Sequence, residues 1–150
     1  LIPDTAQKAA MIASYFPFYK ISNVRLFGTN LWDTPELVRE GGRNVQDAIF
    51  VSGFYAGSSS AQIRDFDSAF TAAFGSRPTI WEASAYDSAV ILQNVLRNGA
   101  RTRPAMRQGI ASLTEFRGVT GVTSFTPNGL TRKDITVLTV RGSTVQELRQ

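Results

Sequence analysis

The sequence predicts an α/β fold in which helices flank a parallel sheet in three layers, with a small β meander at the C-terminus. Three observations predict this class. Short apolar runs alternate with amphipathic stretches early in the chain, at the spacing of βαβ units. Helical periodicity dominates the middle, and β-branched residues with turn motifs dominate the end. With 150 residues, 43% of them hydrophobic, the chain can form one ordinary core.

The first third is predicted to alternate helix, strand, helix and strand. Residues 4–16 begin with polar capping residues and continue with apolar residues at helical spacing. Short strands are expected at 24–27 and 48–51, and Thr34 is placed to cap a helix between them, with proline at its first position. Residues 1–2 have the character of the end of a preceding strand. We therefore expect the chain to be a fragment of a longer protein.

The middle of the chain is predicted to form three helices. The first carries an apolar stripe and ends at Gly75, the second covers about 83–98 and is apolar around much of its circumference, and the third covers about 104–112. The last third is predicted to be a meander, with strands at 122–125 and 135–140, a turn at 126–129, and a short strand ending near 148.

The charge of the chain favours no nucleic-acid partner. Sixteen basic and 12 acidic residues give a formal net charge of +4. The closest basic cluster lies at a predicted helix end, where cations complement the helix dipole. We therefore interpret it as solvated surface rather than as a nucleic-acid site. Its members are Arg97, Arg101, Arg103 and Arg107.

Residue types exclude most catalytic chemistry. The chain has no His and no Cys, which excludes imidazole bases, Ser-His-Asp triads, thiolate nucleophiles and the usual zinc ligands. Asp65 and Asp67 are two apart on one predicted helix, so they point in different directions and are interpreted as helix surface. The sequence predicts no enzyme, no metal site and no cofactor.

One loop has the position of a ligand site. Residues 28–33 leave the carboxyl end of the strand predicted at 24–27 and enter a helix, which is where open α/β sheets bind their ligands. Thr29 and Asn30 offer polar groups and Trp32 offers a flat apolar face, a combination that suits a small polar solute. The alternative is that Trp32 packs against a neighbouring helix while Thr34 and Asp33 only cap.

The same geometry applies to two other strand ends. Pro3 and Asp4 follow the first strand remnant, and Tyr55 follows the strand predicted at 48–51. Parallel strands present their carboxyl ends at one edge, so we expect these three ends to converge. A helix cap at Asp4 and a packed aromatic ring at Tyr55 are the open alternatives.

Three segments in a fixed order carry a resemblance to a known family: residues 26–37, residues 85–92 with Tyr86 and Asp87, and residues 118–129. Together they resemble the later part of the type I periplasmic binding proteins, which include the branched-chain amino-acid receptors (Leu/Ile/Val-binding) of bacterial ABC transporters. Those receptors have two lobes, with the ligand bound in the cleft between them and the chain crossing between lobes three times.

The resemblance implies a division into three segments. Residues 1–57 resemble the second lobe, 58–116 the helical return into the first lobe, and 117–150 the closing β segment of the second lobe. It implies an extracytoplasmic protein of the cell envelope that binds a small polar, amino-acid-like ligand and passes it to a membrane transporter. Asn30 stands where amino-acid receptors commonly place the acidic residue that holds the ligand's ammonium group.

Other functions remain open at this point. The chain also resembles the envelope lipoproteins that activate penicillin-binding proteins, which would make a peptidoglycan synthase its partner. A signalling receptor's sensory lobe is a third possibility. Because the middle helices resemble first-lobe elements without their sheet, we expect them either to dock on the remaining structure or to mediate self-association.

Overall fold

The computed structural model describes residues 1–126 and 128–148. The predicted turn at 126–129 includes Pro127, and the predicted closing segment reaches residues 149 and 150, so these positions lie outside the described residues. The chain divides into two compact units. Unit 1 comprises Leu1–Ser52 and Thr136–Gln150, and unit 2 comprises Gly53–Ile135.

The described residues form helices and strands in this order: α1 (Ala6–Phe18), α2 (Pro35–Gly41), β1 (Ile49–Ser52), α3 (Ala61–Phe74), α4 (Ile80–Arg97), α5 (Arg103–Ala111), β2 (Phe116–Gly118), β3 (Gly121–Phe125), β4 (Thr131–Lys133), β5 (Thr136–Arg141) and β6 (Thr144–Glu147). This mixture confirms the predicted α/β class.

The helices of unit 1 begin and end at local signals. Thr5 caps α1 by accepting a hydrogen bond from the Lys8 amide, so the helix begins two residues later than predicted and Asp4 is not its N-cap. Proline at the first position begins α2, and Gly42 ends it with a φ of 49°. The buried face of α1 consists of Ala6, Ala9, Ala10 and Ala13.

The sheet of unit 1 is parallel on one side of β1 and antiparallel on the other. Isolated parallel bridges join Ile2 to Gly28 and Phe27 to Ile49. The strand predicted at 24–27 is reduced to these bridge positions. Beyond β1, the strands β5 and β6 pair antiparallel in the order β1-β5-β6. The last predicted strands therefore extend the first sheet instead of forming a separate meander.

Unit 2 is built from three helices and a small antiparallel sheet of its own, in the order β2-β3-β4. Gly75 ends α3 in the left-handed conformation, as predicted, and a capping box of Thr79 and Glu82 begins α4 at Ile80, three residues earlier than predicted. The buried cluster consists of Phe54, Phe66, Ala83 and Val119, with Ala56, Ile63, Phe70 and Ile80 packed against it.

A carboxylate is buried in unit 2 beside this cluster. Asp87 on α4 is 3% exposed, and its oxygens accept hydrogen bonds from the amides of Val119 (2.8 Å) and Thr120 (2.9 Å) and from the Thr120 hydroxyl (2.5 Å). A methyl group added at Gly118 would overlap this carboxylate. Asp87 thereby fixes α4 to the turn between β2 and β3.

The middle helices are only partly covered. Phe66 is buried and Ile63 and Phe70 are half-buried within unit 2, whereas Phe74 and Trp81 are 70% and 79% exposed. Docking therefore accounts for part of the apolar surface, and self-association stays a prediction. Within the described residues, no helix is long and apolar enough to cross a membrane.

Candidate functional site

Three strand ends of unit 1 meet at one edge of its sheet. The Ile2 amide donates to the Phe27 carbonyl, and the Gly28 amide donates to the Ile49 carbonyl, each at 2.9 Å. These parallel contacts place residues 3–4, residues 29–30 and the end of β1 side by side. The arrangement is the one in which open α/β sheets bind ligands.

The loop after Gly28 is shaped by the indole ring of Trp32. A methyl group added at Gly28 would overlap the ring, so only glycine allows the backbone to lie against it. The ring packs at 6.2 Å from the ring of Phe50 on β1. Thr29 begins a short 3-10 turn over Asn30–Trp32 by accepting a hydrogen bond from the Leu31 amide at 3.4 Å.

Trp32 connects two of the strand ends. Its side chain is fully buried, and its Nε1 donates to the Asp4 carbonyl at 3.2 Å. The ring therefore presents no free face to a solute. It is packed, as in the alternative, but its ring partner Phe50 lies on β1 and not on a helix. Its role at this edge is to hold the loop of Thr29 and Asn30 against the segment of Pro3 and Asp4.

A second polar contact joins the loop to the end of β1. The Ser52 hydroxyl donates to the Asp33 carboxylate at 2.5 Å. Burial raises the pKa of Asp33 above its ordinary value, and the hydrogen bond from Ser52 opposes that rise. In the sequence Asp33 is the last residue of the candidate loop and, in the alternative, a cap, and Ser52 is not singled out. A serine at the end of an otherwise apolar strand was the available signal.

Polar groups are exposed at the edge itself. Asn30 and Pro3 are exposed, and Thr29 and Asp4 are partly exposed. The pKa of Asp4 is lowered, chiefly by the hydrogen bond from the Thr5 amide and further by Lys8, whose ammonium lies 3.4 Å from the carboxylate. The edge thus offers one ionised carboxylate, one hydroxyl and one amide to a small solute.

Tyr55 belongs to unit 2 and is half-buried there. Its carbonyl accepts from the Ser58 amide at 3.1 Å, and a methyl group added at Gly57 would overlap its hydroxyl group. Its participation in a site with the unit 1 residues stays a prediction.

Of the acidic pair Asp65 and Asp67 on α3, one member forms an ion pair within unit 2. Asp67 is bound by the Arg77 guanidinium at 2.6 and 3.1 Å, and Arg77 also donates to the Ala56 carbonyl at 3.1 Å. The pair with Asp65 is therefore surface structure of unit 2. Among the described residues, no group of three or more acidic side chains could hold a metal ion.

The family model described as periplasmic binding protein matches residues 10–144 of this chain. The chain belongs to this family. The match includes the loop of Gly28, the Tyr86–Asp87 motif and most of the closing strands, so the resemblance noted in the sequence is confirmed. The family is one of binding proteins, which agrees with the expectation that the chain is not an enzyme.

Solved structures give the same assignment. A protein described as a branched-chain amino acid ABC transporter from Rhodospirillum rubrum matches 97% of the chain with a TM-score of 0.91 and 26% identity. The substrate-binding protein LivJ from Streptococcus pneumoniae, solved with isoleucine, matches 96% with a TM-score of 0.72 and 26% identity. The leucine-binding protein LivK from Thermotoga maritima matches 99% with a TM-score of 0.75, and at 21% identity it shows the fold alone.

This chain spans about two fifths of those proteins, covering 42%, 41% and 43% of their respective lengths. No curated protein matches it at a significant level. The structures named above are described as transport proteins or as ligand-binding proteins. They give no support to a peptidoglycan synthase as the partner of this chain.

Proposed function

We propose that this chain is the later portion of an extracytoplasmic solute-binding receptor that delivers a small polar, amino-acid-like ligand to an ABC-type transporter, with residues 1–57 from its second lobe. The observation that carries the proposal is the meeting of three parallel strand ends in unit 1. Family membership and the partial coverage of longer, transport-related proteins support the same proposal. Residues 58–116 would then be the return into the first lobe and 117–150 the closing crossing.

The proposed contacts with ligand come from both sides of the loop. Asn30 and Thr29 donate and accept hydrogen bonds, and Asp4 and Pro3 form the adjoining wall. Trp32 acts as a positioning residue, since its buried ring fixes the loop and its Nε1 holds the Asp4 carbonyl. Tyr55 is proposed as a further contact from the segment that follows β1.

Asn30 makes the charge of the ligand testable. An amide can accept from an ammonium group or donate to a carboxylate, whereas an aspartate at the same position favours only the ammonium. Asn30→Asp should therefore tighten binding of a solute whose ammonium faces this loop. It should weaken binding of a solute whose carboxylate faces it.

The test is a thermal-shift and calorimetric screen of the intact protein against leucine, isoleucine, other amino acids and small carboxylates. A ligand that binds only the folded state at about 100 times its Kd stabilises that state by about 2.7 kcal/mol. Asn30→Ala should weaken binding about tenfold through the loss of its hydrogen bonds. Asn98→Ala, at the exposed end of α4, is the matched control and should leave binding unchanged.

Two outcomes would contradict the proposal. One is the absence of stabilisation by every solute class in the screen. The other is a ligand whose affinity responds equally to Asn30→Ala and to Asn98→Ala, because binding would then not involve the loop.

A further inference from the structure

Four arginines lie around the turn between α4 and α5, in a segment without acidic residues, and are here called the arginine patch. It consists of Arg97, Arg101, Arg103 and Arg107, and all four are exposed. No acidic residue occurs between Asp87 and Glu115. In the rest of the chain the basic and acidic residues are equal in number, so the patch carries a charge equal to the whole net charge of +4.

Within the described residues, no ion pair neutralises the patch. The salt bridges there involve Lys8, Arg39, Arg77 and Arg141, all outside it. Arg101 donates to the carbonyls of Leu96 and Ala100 and so serves partly as a cap for the end of α4. Within the part of the chain that the structure describes, the guanidinium groups of Arg97, Arg103 and Arg107 make no ion pair.

Helix electrostatics explain only part of the patch. Arg97 lies in the last turn of α4, where a cation complements the helix dipole. Arg103 is the first residue of α5, whose first turn contains no acidic residue, and a cation at that end opposes the dipole. The helix-end interpretation therefore holds for Arg97 and Arg101, at the end of α4, and does not account for Arg103 and Arg107.

The patch differs from the other basic surface of unit 2. Arg117, Arg132 and Lys133 on the small sheet lie beside Glu115 and Asp134, so the signs there are mixed. On α4, the exposed residues in the turn before Arg97 are the polar Gln93 and two leucines. Leu92 is 44% exposed and Leu96 is 43% exposed.

We propose that the arginine patch binds the surface of an anionic membrane. One guanidinium group can donate two parallel hydrogen bonds to the oxygens of one phosphate. Clustered basic side chains are attracted to the surface of a membrane that contains anionic lipids. The proposal rests on the proposed function for its setting in the cell envelope, where contact with the membrane would hold the receptor close to its transporter.

The test measures partition of the intact protein onto vesicles. One set is phosphatidylcholine alone, and the other contains phosphatidylglycerol as about a third of the lipid. We expect binding only to the anionic vesicles, weakening as salt shortens the Debye length. The variant R97Q/R103Q/R107Q should lose about a hundredfold in partition coefficient, since each base near an anionic surface contributes roughly fivefold.

The control variant R25Q/R43Q/R132Q removes the same charge from three exposed arginines elsewhere that have no ion pair within the described residues. Its partition should change by less than about threefold if the patch is the site. Equal losses of partition in both variants would mean that binding depends only on the net charge of the protein, and this would overturn the proposal.

Three other results would also overturn it. They are failure to bind anionic vesicles, equal binding to phosphatidylcholine, and binding to an oligoglutamate peptide without binding to vesicles, which would indicate an acidic protein partner. Circular dichroism of both variants verifies folding. Ligand-induced stabilisation, which the patch variant should retain, separates failure of this proposal from failure of the proposed function.

Discussion

Each compact unit contains a glycine that lies in close contact with one buried side chain. The two side chains stabilise their units through different interactions. In unit 1 the indole ring of Trp32 lies against Gly28, and in unit 2 the carboxylate of Asp87 lies against Gly118. The ring stabilises by removing apolar area from water, whereas the carboxylate stabilises by satisfying donors that are themselves buried. The stability of unit 2 should therefore depend on a few buried hydrogen bonds, and the stability of unit 1 on the close packing of apolar side chains.

The largest expected effect is that of Asp87→Ala. The substitution leaves two backbone amides and the Thr120 hydroxyl without their acceptor in a buried turn. We expect the free energy of unfolding to fall by about 3–5 kcal/mol, since each buried donor left without an acceptor costs about 1–3 kcal/mol. Urea unfolding followed by circular dichroism measures it, because unit 2 contains the helices α3, α4 and α5.

Asp65→Ala is the matched control, because Asp65 is an exposed carboxylate on α3. Its effect should stay within about 0.5 kcal/mol, as for most surface substitutions. If the two alanine variants unfolded at the same urea concentration, the polar account of unit 2 would be wrong.

The two glycines give the next effect and compare the units directly. Gly118→Ala forces the Asp87 carboxylate away from its donors, and Gly28→Ala forces the Trp32 ring out of its place. We expect losses of about 2–4 kcal/mol and about 1–3 kcal/mol respectively, because a ring can shift within an apolar core at lower cost.

Gly53→Ala is the control, because the side chain next to Gly53 can move to make room for an added methyl group. Its added methyl group would lie 3.0 Å from the Cδ1 atom of Ile80, which is the mobile end of a side chain. Its cost should be under about 1 kcal/mol, measured in the same urea experiment. A larger loss at Gly28 than at Gly118 would reverse the proposed ranking of the units.

Trp32→Phe should have a smaller effect. It tests whether packing of an aromatic ring is sufficient for the stability of unit 1. Phenylalanine keeps an aromatic ring beside Gly28 but loses the Nε1 hydrogen bond to the Asp4 carbonyl. We expect a loss of about 1–2 kcal/mol in stability from the lost bond and the unfilled volume. If the loop is held for ligand, the same variant should also weaken solute binding, which calorimetry of the intact protein detects.

Local signals in the sequence were sufficient for several helix ends but not for the sheet. Thr34 and Gly75 mark their helices correctly, because caps depend only on neighbouring residues. The predicted start of α4 was late, because the capping box of Thr79 and Glu82 was not recognised. The pairing of β5 with β1 could not be derived, because Thr139 lies opposite Ile49 in a register that no local pattern specifies.

The same limit applies to the functional residues. The loop after the predicted strand at 24–27 was recognised because strand ends are visible in a sequence. The burial of Trp32 against Gly28 and its bond to the Asp4 carbonyl depend on a contact between segments 28 positions apart. Asp87 was noticed only as part of a motif, since its partners Val119 and Thr120 are 32 and 33 residues away.

The smallest expected effect is the pH dependence that Asp33 gives to unit 1. Burial raises its pKa in the folded state above the ordinary value of 3.8, so the folded state binds this proton more tightly than the unfolded state. The contribution of Asp33 to stability therefore falls as pH rises from about 3.8 through the folded-state pKa, and it is constant above that pKa.

Asp33→Asn removes this titration and keeps an oxygen that can accept from Ser52. Urea unfolding at a series of pH values should show the variant gaining stability relative to the natural protein as pH rises through that window. Ser52→Ala should act in the opposite direction, because it removes the hydrogen bond that opposes the rise in the pKa of Asp33. Parallel pH curves for all three proteins would mean that the Asp33 carboxylate is as well solvated in the folded state as in the unfolded chain.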